Sequence, residues 1–84
     1  MPFKVLGYNP DTDLFSVMVS RRDNGLNIVK LDYREEKGEM VLKGRFWPDG
    51  RTETPSDRRF IEKIEKSGGE RAKIYKGREM AQSY

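Results

Sequence analysis

The 84-residue sequence contains neither cysteine nor histidine. It therefore has no disulfide, no thiolate nucleophile, no thiolate or imidazole metal ligand, and no side chain whose ordinary pKa lies near neutrality. These absences argue against catalysis, and we expect no enzyme activity, no cofactor and no metal site. The lack of cysteine also fits a reducing compartment, so we expect a cytoplasmic location.

Long apolar runs are missing as well. No stretch approaches the roughly 20 apolar residues of a membrane helix. The N-terminal segment contains Asp11 and Asp13 and has no basic stretch followed by an apolar one, so it does not match a secretion signal. We expect no membrane partner. A chain this short buries one modest core, and we predict a single domain over residues 1–76 with a frayed C-terminal tail over residues 77–84.

Charge is abundant instead: 37% of the residues are charged, and the net charge is +3. Residues 1–57 contain nine basic and ten acidic side chains, whereas residues 58–84 contain eight basic and four acidic ones. The basic excess is therefore C-terminal. A basic surface attracts phosphates and acidic partners, so the charge favours a binding function.

Four segments alternate apolar and polar residues with the period of two that is typical of half-buried strands. They cover residues 3–8, 14–21, 26–34 and 39–47. The Asn24–Gly25 pair favours a tight hairpin between the second and third segments, because both residues tolerate positive φ angles. We predict an antiparallel β-meander of three to five strands that forms an open sheet or a partial barrel.

A helix is predicted to begin at Pro55, because proline suits the first helical position and Thr54 can cap the first turn. The serine and two glycines at 67–69 are predicted to end it, which gives a helix over residues 55–66. Residues 70–76 are left open between a fifth strand and a second short helix. The predicted fold class is therefore α+β, a small meander with one C-terminal α-helix packed on it.

The expected core combines the apolar faces of the strands with the apolar stripe of the helix. The phase of the second strand is ambiguous, because Leu14 and Met18 alternate with Phe15 and Val17. The core candidates are Phe3, Val5, Phe15, Val17, Val19, Val29, Leu31, Tyr33, Met40, Leu42, Phe46, Phe60, Ile61 and Ile64.

The polar spacing of Asn9, Asp11 and Asp13 matches the start of a calcium-binding loop. However, Leu14 stands where that loop needs its glycine, and Ser20 stands where it needs its closing acid. An Asx turn stabilised by Pro10 is the expected structure here, and no metal is expected.

The opposite face of the third and fourth strands is the most suggestive surface. Cations there are expected to surround one exposed aromatic residue, Trp47, an arrangement that binds phosphates and stacks bases. Two cations from the basic C-terminal segment are added to the set. The predicted binding residues are Lys30, Arg34, Lys43, Arg45, Trp47, Arg71 and Lys73.

These features predict a small basic module that binds nucleic acid through its sheet face and one exposed tryptophan. The alternative is a protein-interaction module, such as a small regulatory subunit or an inhibitor, because tryptophan and arginine also dominate protein interfaces. A homodimer that pairs through an exposed sheet edge is a further option. The identity of the nucleic acid or protein partner does not follow from the sequence.

Overall fold

The computed structural model describes residues 2–22 and 26–80, and it shows a four-stranded antiparallel sheet followed by a helix. The strands are β1 (Phe3–Asn9), β2 (Leu14–Arg22), β3 (Leu26–Glu36) and β4 (Glu39–Phe46), in the spatial order β1-β2-β3-β4. One turn of 3-10 helix (Pro48–Gly50) leads to α1 (Pro55–Tyr75), which continues into a wide helical turn (Lys76–Met80). The predicted α+β meander with one C-terminal helix is confirmed.

The sheet is open, because β1 and β4 are its two edges and do not pair with each other. The strands that flank the predicted Asn24–Gly25 turn pair up to Arg22, which lies opposite Leu26. The turn itself, at residues 23–25, lies outside the described residues. The last four residues of the predicted tail, 81–84, also lie outside them.

One face of the sheet carries the core, and α1 packs across it. Phe15, Val17 and Val19 are buried, which settles the phase of β2 that alternation left ambiguous. Each lies opposite a buried residue of β3, so the central strands form the floor on which the helix rests. The buried core consists of Phe15, Val17, Val19, Val29, Leu31, Tyr33, Trp47, Phe60, Ile61, Ile64 and Ala72. The predicted core residues Phe3, Val5, Met40 and Leu42 pack half-buried at its margin.

An extra residue in β4 changes which of its side chains face the core. Tyr33 pairs with Leu42 and Asp32 pairs with Gly44, so Lys43 between them has no cross-strand partner and forms a β-bulge. Alternate residues of a strand point to opposite faces, and one extra residue therefore reverses the face of every residue that follows it.

This reversal contradicts two predictions from simple alternation. Phe46, predicted in the core, points away from α1 and is 51% exposed. Trp47, predicted as the exposed aromatic residue, is only 7% exposed and belongs to the core. Both errors have the same physical cause, the bulge at Lys43.

The helix is also longer than predicted. Gly68 and Gly69 lie in the interior of α1, so the predicted end at residues 67–69 is wrong. Residues 70–75 continue the same helix, so they form neither a fifth strand nor a second, separate helix. Gly68 is required for packing, because a side chain at this position would overlap the hydroxyl oxygen of Tyr33.

Tyr33 joins the two layers at this glycine. Its hydroxyl group donates a hydrogen bond of 2.6 Å to the main-chain oxygen of Glu65 in α1. Burial, reinforced by the negative charge of Glu65, raises the pKa of Tyr33 well above its ordinary value, so the hydroxyl remains a donor. Each interior glycine costs a helix about 1 kcal/mol relative to alanine. The close contact with Tyr33 offsets this cost.

Replacing Gly68 by alanine should destabilise the protein, although alanine is the better helix former. The new methyl group would displace Tyr33 and weaken its hydrogen bond to Glu65. Overpacking of this kind costs about 1–3 kcal/mol, which exceeds the gain in helix propensity. Urea unfolding followed by circular dichroism would measure the change in the free energy of unfolding.

Gly69→Ala is the matched control, because the atoms nearest to its new methyl group are 3.4 Å away. This variant should have unchanged or slightly higher stability. Adding Tyr33→Phe to Gly68→Ala removes the overlapping oxygen and should recover part of the loss. If Gly68→Ala were as stable as Gly69→Ala, the packing role of Gly68 would be refuted.

Candidate nucleic-acid interface

The sheet face opposite α1 is open, because no other described element packs on it. A single row of cross-strand neighbours runs over this face through all four strands. Lys4 lies opposite Met18, which is opposite Lys30, and Lys30 is opposite Phe46. We call these four residues the outer row. With strands about 4.8 Å apart, the row spans roughly 14 Å.

Phe46 is the exposed aromatic residue of the outer row. Its ring lies over Gly44, where a Cβ atom would come within 2.8 Å of the ring atom Cε2. The ammonium group of Lys30 lies 4.8 Å from the ring centroid, a cation–π contact. The absence of a side chain at Gly44 therefore lets the ring rest on the sheet beside a cation.

A second row beside the outer row consists of smaller side chains. Gly7 lies opposite Ser16, which is opposite Asp32, and Asp32 is opposite Gly44. Asp32 is 7% exposed, although it lies on the open face. Because its side chains are short, this second row forms a shallow depression next to the cations and the aromatic ring of the outer row.

Two other predicted cations are held by acids. The guanidinium group of Arg34 donates to the main-chain oxygen of Thr12 at 3.1 Å and lies 3.9 Å from the carboxylate of Asp13. The ammonium group of Lys43 lies 2.6 Å from the carboxylate of Glu36. Both cations have partly compensated charges, as does Lys30, whose ammonium group lies 3.9 Å from Asp32.

Trp47 and Arg45 belong to a different part of the molecule. The indole N–H group of Trp47 donates to Glu53 Oε1 at 3.1 Å, and the guanidinium group of Arg51 lies 4.4 Å above the ring. The Nε atom of Arg45 is 3.2 Å from the same Glu53 oxygen. The prediction that Trp47 is available for stacking is therefore wrong: its ring is covered and its N–H group is used.

Trp47, Arg51 and Glu53 belong to the segment between β4 and α1, which we call the helix junction. The helix junction also fixes the start of α1, through the buried carboxylate of Asp57, which is 3% exposed. Arg51 approaches this carboxylate at 2.6 and 3.2 Å, and Arg21 at 3.0 Å. Thr54 and Asp57 also form a reciprocal capping box. The bonds with Arg51 first, and then those with Thr54, hold the pKa of Asp57 well below its usual range. We call this arrangement the Asp57 anchor.

Arg71 and Lys73, the last two predicted binding residues, lie on α1. Arg71 lies 5.4 Å from the ring centroid of Phe3, and Lys73 donates to the main-chain oxygen of Gly38 at 3.1 Å. They are in the layer on the other side of the sheet from Lys30. The seven predicted residues therefore do not form one surface, and the structure divides them among the open face, the helix junction and the helix.

The outer row contains residues that the prediction from sequence missed. Lys4 stands between Phe3 and Val5, so alternation alone could have placed it on the open face. Met18 could have been placed in the same way once the phase of β2 was known. No sequence signal revealed Phe46, because the position of the bulge in β4 was needed to assign its face.

The loop between β1 and β2 forms the expected Asx turn, in which the main-chain N–H group of Asp11 donates to Asn9 Oδ1 at 2.9 Å. Within residues 2–22 and 26–80, no three His, Cys, Asp or Glu side chains are grouped to hold a metal ion. Across the same ranges, no helix is both long enough and apolar enough to cross a membrane.

Comparisons with protein families, with curated proteins and with solved structures found no match to this chain. The candidate interface is therefore defined by its own geometry and chemistry.

The Asp57 anchor makes the free energy of unfolding depend on pH. The pKa of Asp57 is lower in the folded than in the unfolded chain, so its contribution is complete above the unfolded value of about 3.9. The contribution is lost as the pH falls toward the folded value. Asp57→Asn should cost about 1–3 kcal/mol near pH 7, because it leaves the partly buried Arg21 and Arg51 without their acid.

Urea unfolding at a series of pH values would test this prediction. The stability difference between the wild type and Asp57→Asn should shrink as the pH falls from about 5 to 3. Asp49→Asn is the control, because Asp49 is an exposed acid in the preceding turn and should matter little. A difference that stayed constant over this pH range would contradict the assigned role of Asp57.

Proposed function

We propose that the protein binds single-stranded nucleic acid across the open face of its sheet. The outer row is the observation that carries this proposal. In it the half-exposed ring of Phe46 lies beside the ammonium group of Lys30, and Lys4 adds a second cation. Exposed aromatic rings stack on bases, and neighbouring cations attract phosphates. In this proposal the protein is a cytoplasmic binding module without catalytic activity.

The shape of the face favours a single strand over a duplex. Stacking on Phe46 requires a base with a free face, and the bases within a duplex are covered by their neighbours. The outer row lies on a sheet surface, and α1 packs on the other face, so this helix is not placed to enter a groove at the proposed site. Four-stranded sheets that bind RNA stack two or three bases, so we expect a footprint of about two or three nucleotides.

Two cations of the outer row are available for phosphates. Lys4 is exposed and forms no ion pair with the described residues. The side chain of Lys30 is 44% exposed, and its ammonium group lies 3.9 Å from Asp32, at the limit of an ion pair. Each phosphate contact on a single strand contributes a slope of about −0.7 to the dependence of log K on log salt. Two contacts give an expected slope of about −1.4.

Phe46→Ala should weaken the binding of a fluorescein-labelled dT10 oligonucleotide about 5- to 100-fold, because it removes a stacking surface worth about 1–3 kcal/mol. Fluorescence anisotropy at 50 mM salt would measure the affinity. Ile74→Ala is the matched control, because Ile74 is 52% exposed on α1 and Phe46 is 51% exposed on the sheet. Equal affinities of these two variants for dT10 would contradict stacking on Phe46.

Lys30→Gln should reduce the salt slope of dT10 binding by about 0.7, because it removes one phosphate contact. The control is Lys63→Gln, which removes an exposed cation from α1 and leaves the open face unchanged. Titrations between 50 and 200 mM salt would give both slopes. If Lys63→Gln lost more of the salt slope than Lys30→Gln, the nucleic acid would bind on the helix side of the protein, and the proposed site would be refuted.

A protein-interaction surface is the second candidate, and the apolar residues of the open face favour it. Phe46 on the open face is 51% exposed, and Leu6, which lies at the register shift in β1, is 48% exposed. A second copy of the chain or another protein would bury these side chains. Sedimentation velocity would reveal a homodimer. If dT10 failed to bind and Phe46→Ala dissociated a dimer, this candidate would replace nucleic-acid binding.

A further inference from the structure

Asp32 is an acid buried on the face that carries the cations. Its Oδ1 atom accepts a hydrogen bond of 2.7 Å from the hydroxyl group of Ser16 and lies 3.9 Å from the ammonium group of Lys30. Both groups compensate the same carboxylate oxygen. They reduce the cost of burying the charge but leave the second oxygen without a donor.

That second oxygen, Oδ2, belongs to a side chain of the open face that is 10% exposed. It accepts no hydrogen bond from the described residues, although Asp32 as a whole is 7% exposed. Within the same part of the chain, no fully buried side-chain oxygen lacks a partner, so Oδ2 retains access to solvent. The ring of Phe46 lies over Gly44, the cross-strand neighbour of Asp32. An open acceptor therefore sits beside the proposed stacking position.

A carboxylate at this place repels phosphates and attracts N–H donors. A base stacked on Phe46 would bring its hydrogen-bonding edge, rather than its phosphate, toward Asp32. Guanine carries two adjacent donors on that edge, N1–H and the N2 amino group. Cytosine and adenine offer one amino group beside an acceptor, and thymine offers one N–H group between two carbonyl oxygens.

We propose that Asp32 makes the interface selective for guanine. This inference rests on the proposed function, because it requires a base on Phe46. Guanine would donate from N1 and N2 to the Asp32 carboxylate, with Oδ2 as the principal acceptor. The hydrogen bond from Ser16 keeps the carboxylate in place. Lys30, the neighbour of Phe46, contacts the phosphate next to the bound base, and Lys4, at the far end of the outer row, contacts a phosphate farther along the strand.

Anisotropy titrations with dT9 and with dT9 carrying one central dG would test this selectivity. The dG oligonucleotide should bind wild-type protein about tenfold more tightly, the gain expected for a good two-donor contact. Replacing dG by deoxyinosine removes only the N2 amino group and should abolish most of the gain. This comparison uses wild-type protein alone and does not depend on the folding of any variant.

Asp32→Asn should lose the preference for dG and bind dT9 at least as tightly as wild type does, because it removes a negative charge. Glu36→Gln is the control, since it neutralises another acid of β3 and should keep the dG preference. Circular dichroism verifies that both variants are folded.

The outcomes separate the selectivity from the proposed function. If dT9 bound but dG gave no gain, or if Asp32→Asn kept the gain, guanine selectivity would be overturned and nucleic-acid binding would stand. If neither oligonucleotide bound wild-type protein, the proposed function would fail, and the selectivity would fail with it.

Discussion

One residue in β4, Lys43, determines how the two faces of the sheet differ. Because it has no cross-strand partner, every residue after it changes face. Trp47 turns inward to meet Glu53 and Arg51, and Phe46 turns outward to meet Lys30. The chain thus places a buried aromatic residue on one side of the sheet and a half-exposed one on the other. The helix junction and the candidate interface both depend on this single register shift.

The two layers are held together at the start and in the interior of the helix by contacts of different chemistry. The Asp57 anchor fixes the start of α1 with ionic hydrogen bonds, which require a charged carboxylate. Farther along, Gly68 lets the helix backbone approach Tyr33 closely enough for its hydroxyl group to bond to Glu65. These contacts keep α1 on one face only. The outer row consequently stays open, with its apolar and basic side chains facing solvent.

Local patterns in the sequence predicted the order of elements, the inward face of β3 and the capped start of α1. They left the phase of β2 ambiguous, although the core candidates from β2 were the residues that the structure buries. They failed where the outcome depended on a distant partner. Two adjacent glycines normally favour a helix end, and the opposite result at Gly68 reflects Tyr33, 35 positions away in the chain. In the same way, Phe46 and Trp47 were assigned to the wrong faces because a bulge depends on pairing, which alternation within one strand does not reveal.

The most direct test of the interface is to map it by ¹H–¹⁵N correlation spectra of the protein during titration with dT10. Binding on the open face predicts chemical-shift changes at the backbone amides of Lys4, Met18, Lys30 and Phe46, while those of Lys63 and Ile74 on α1 stay unchanged. Changes concentrated along α1, or spectra that do not respond to dT10 at 50 mM salt, would contradict the proposed interface.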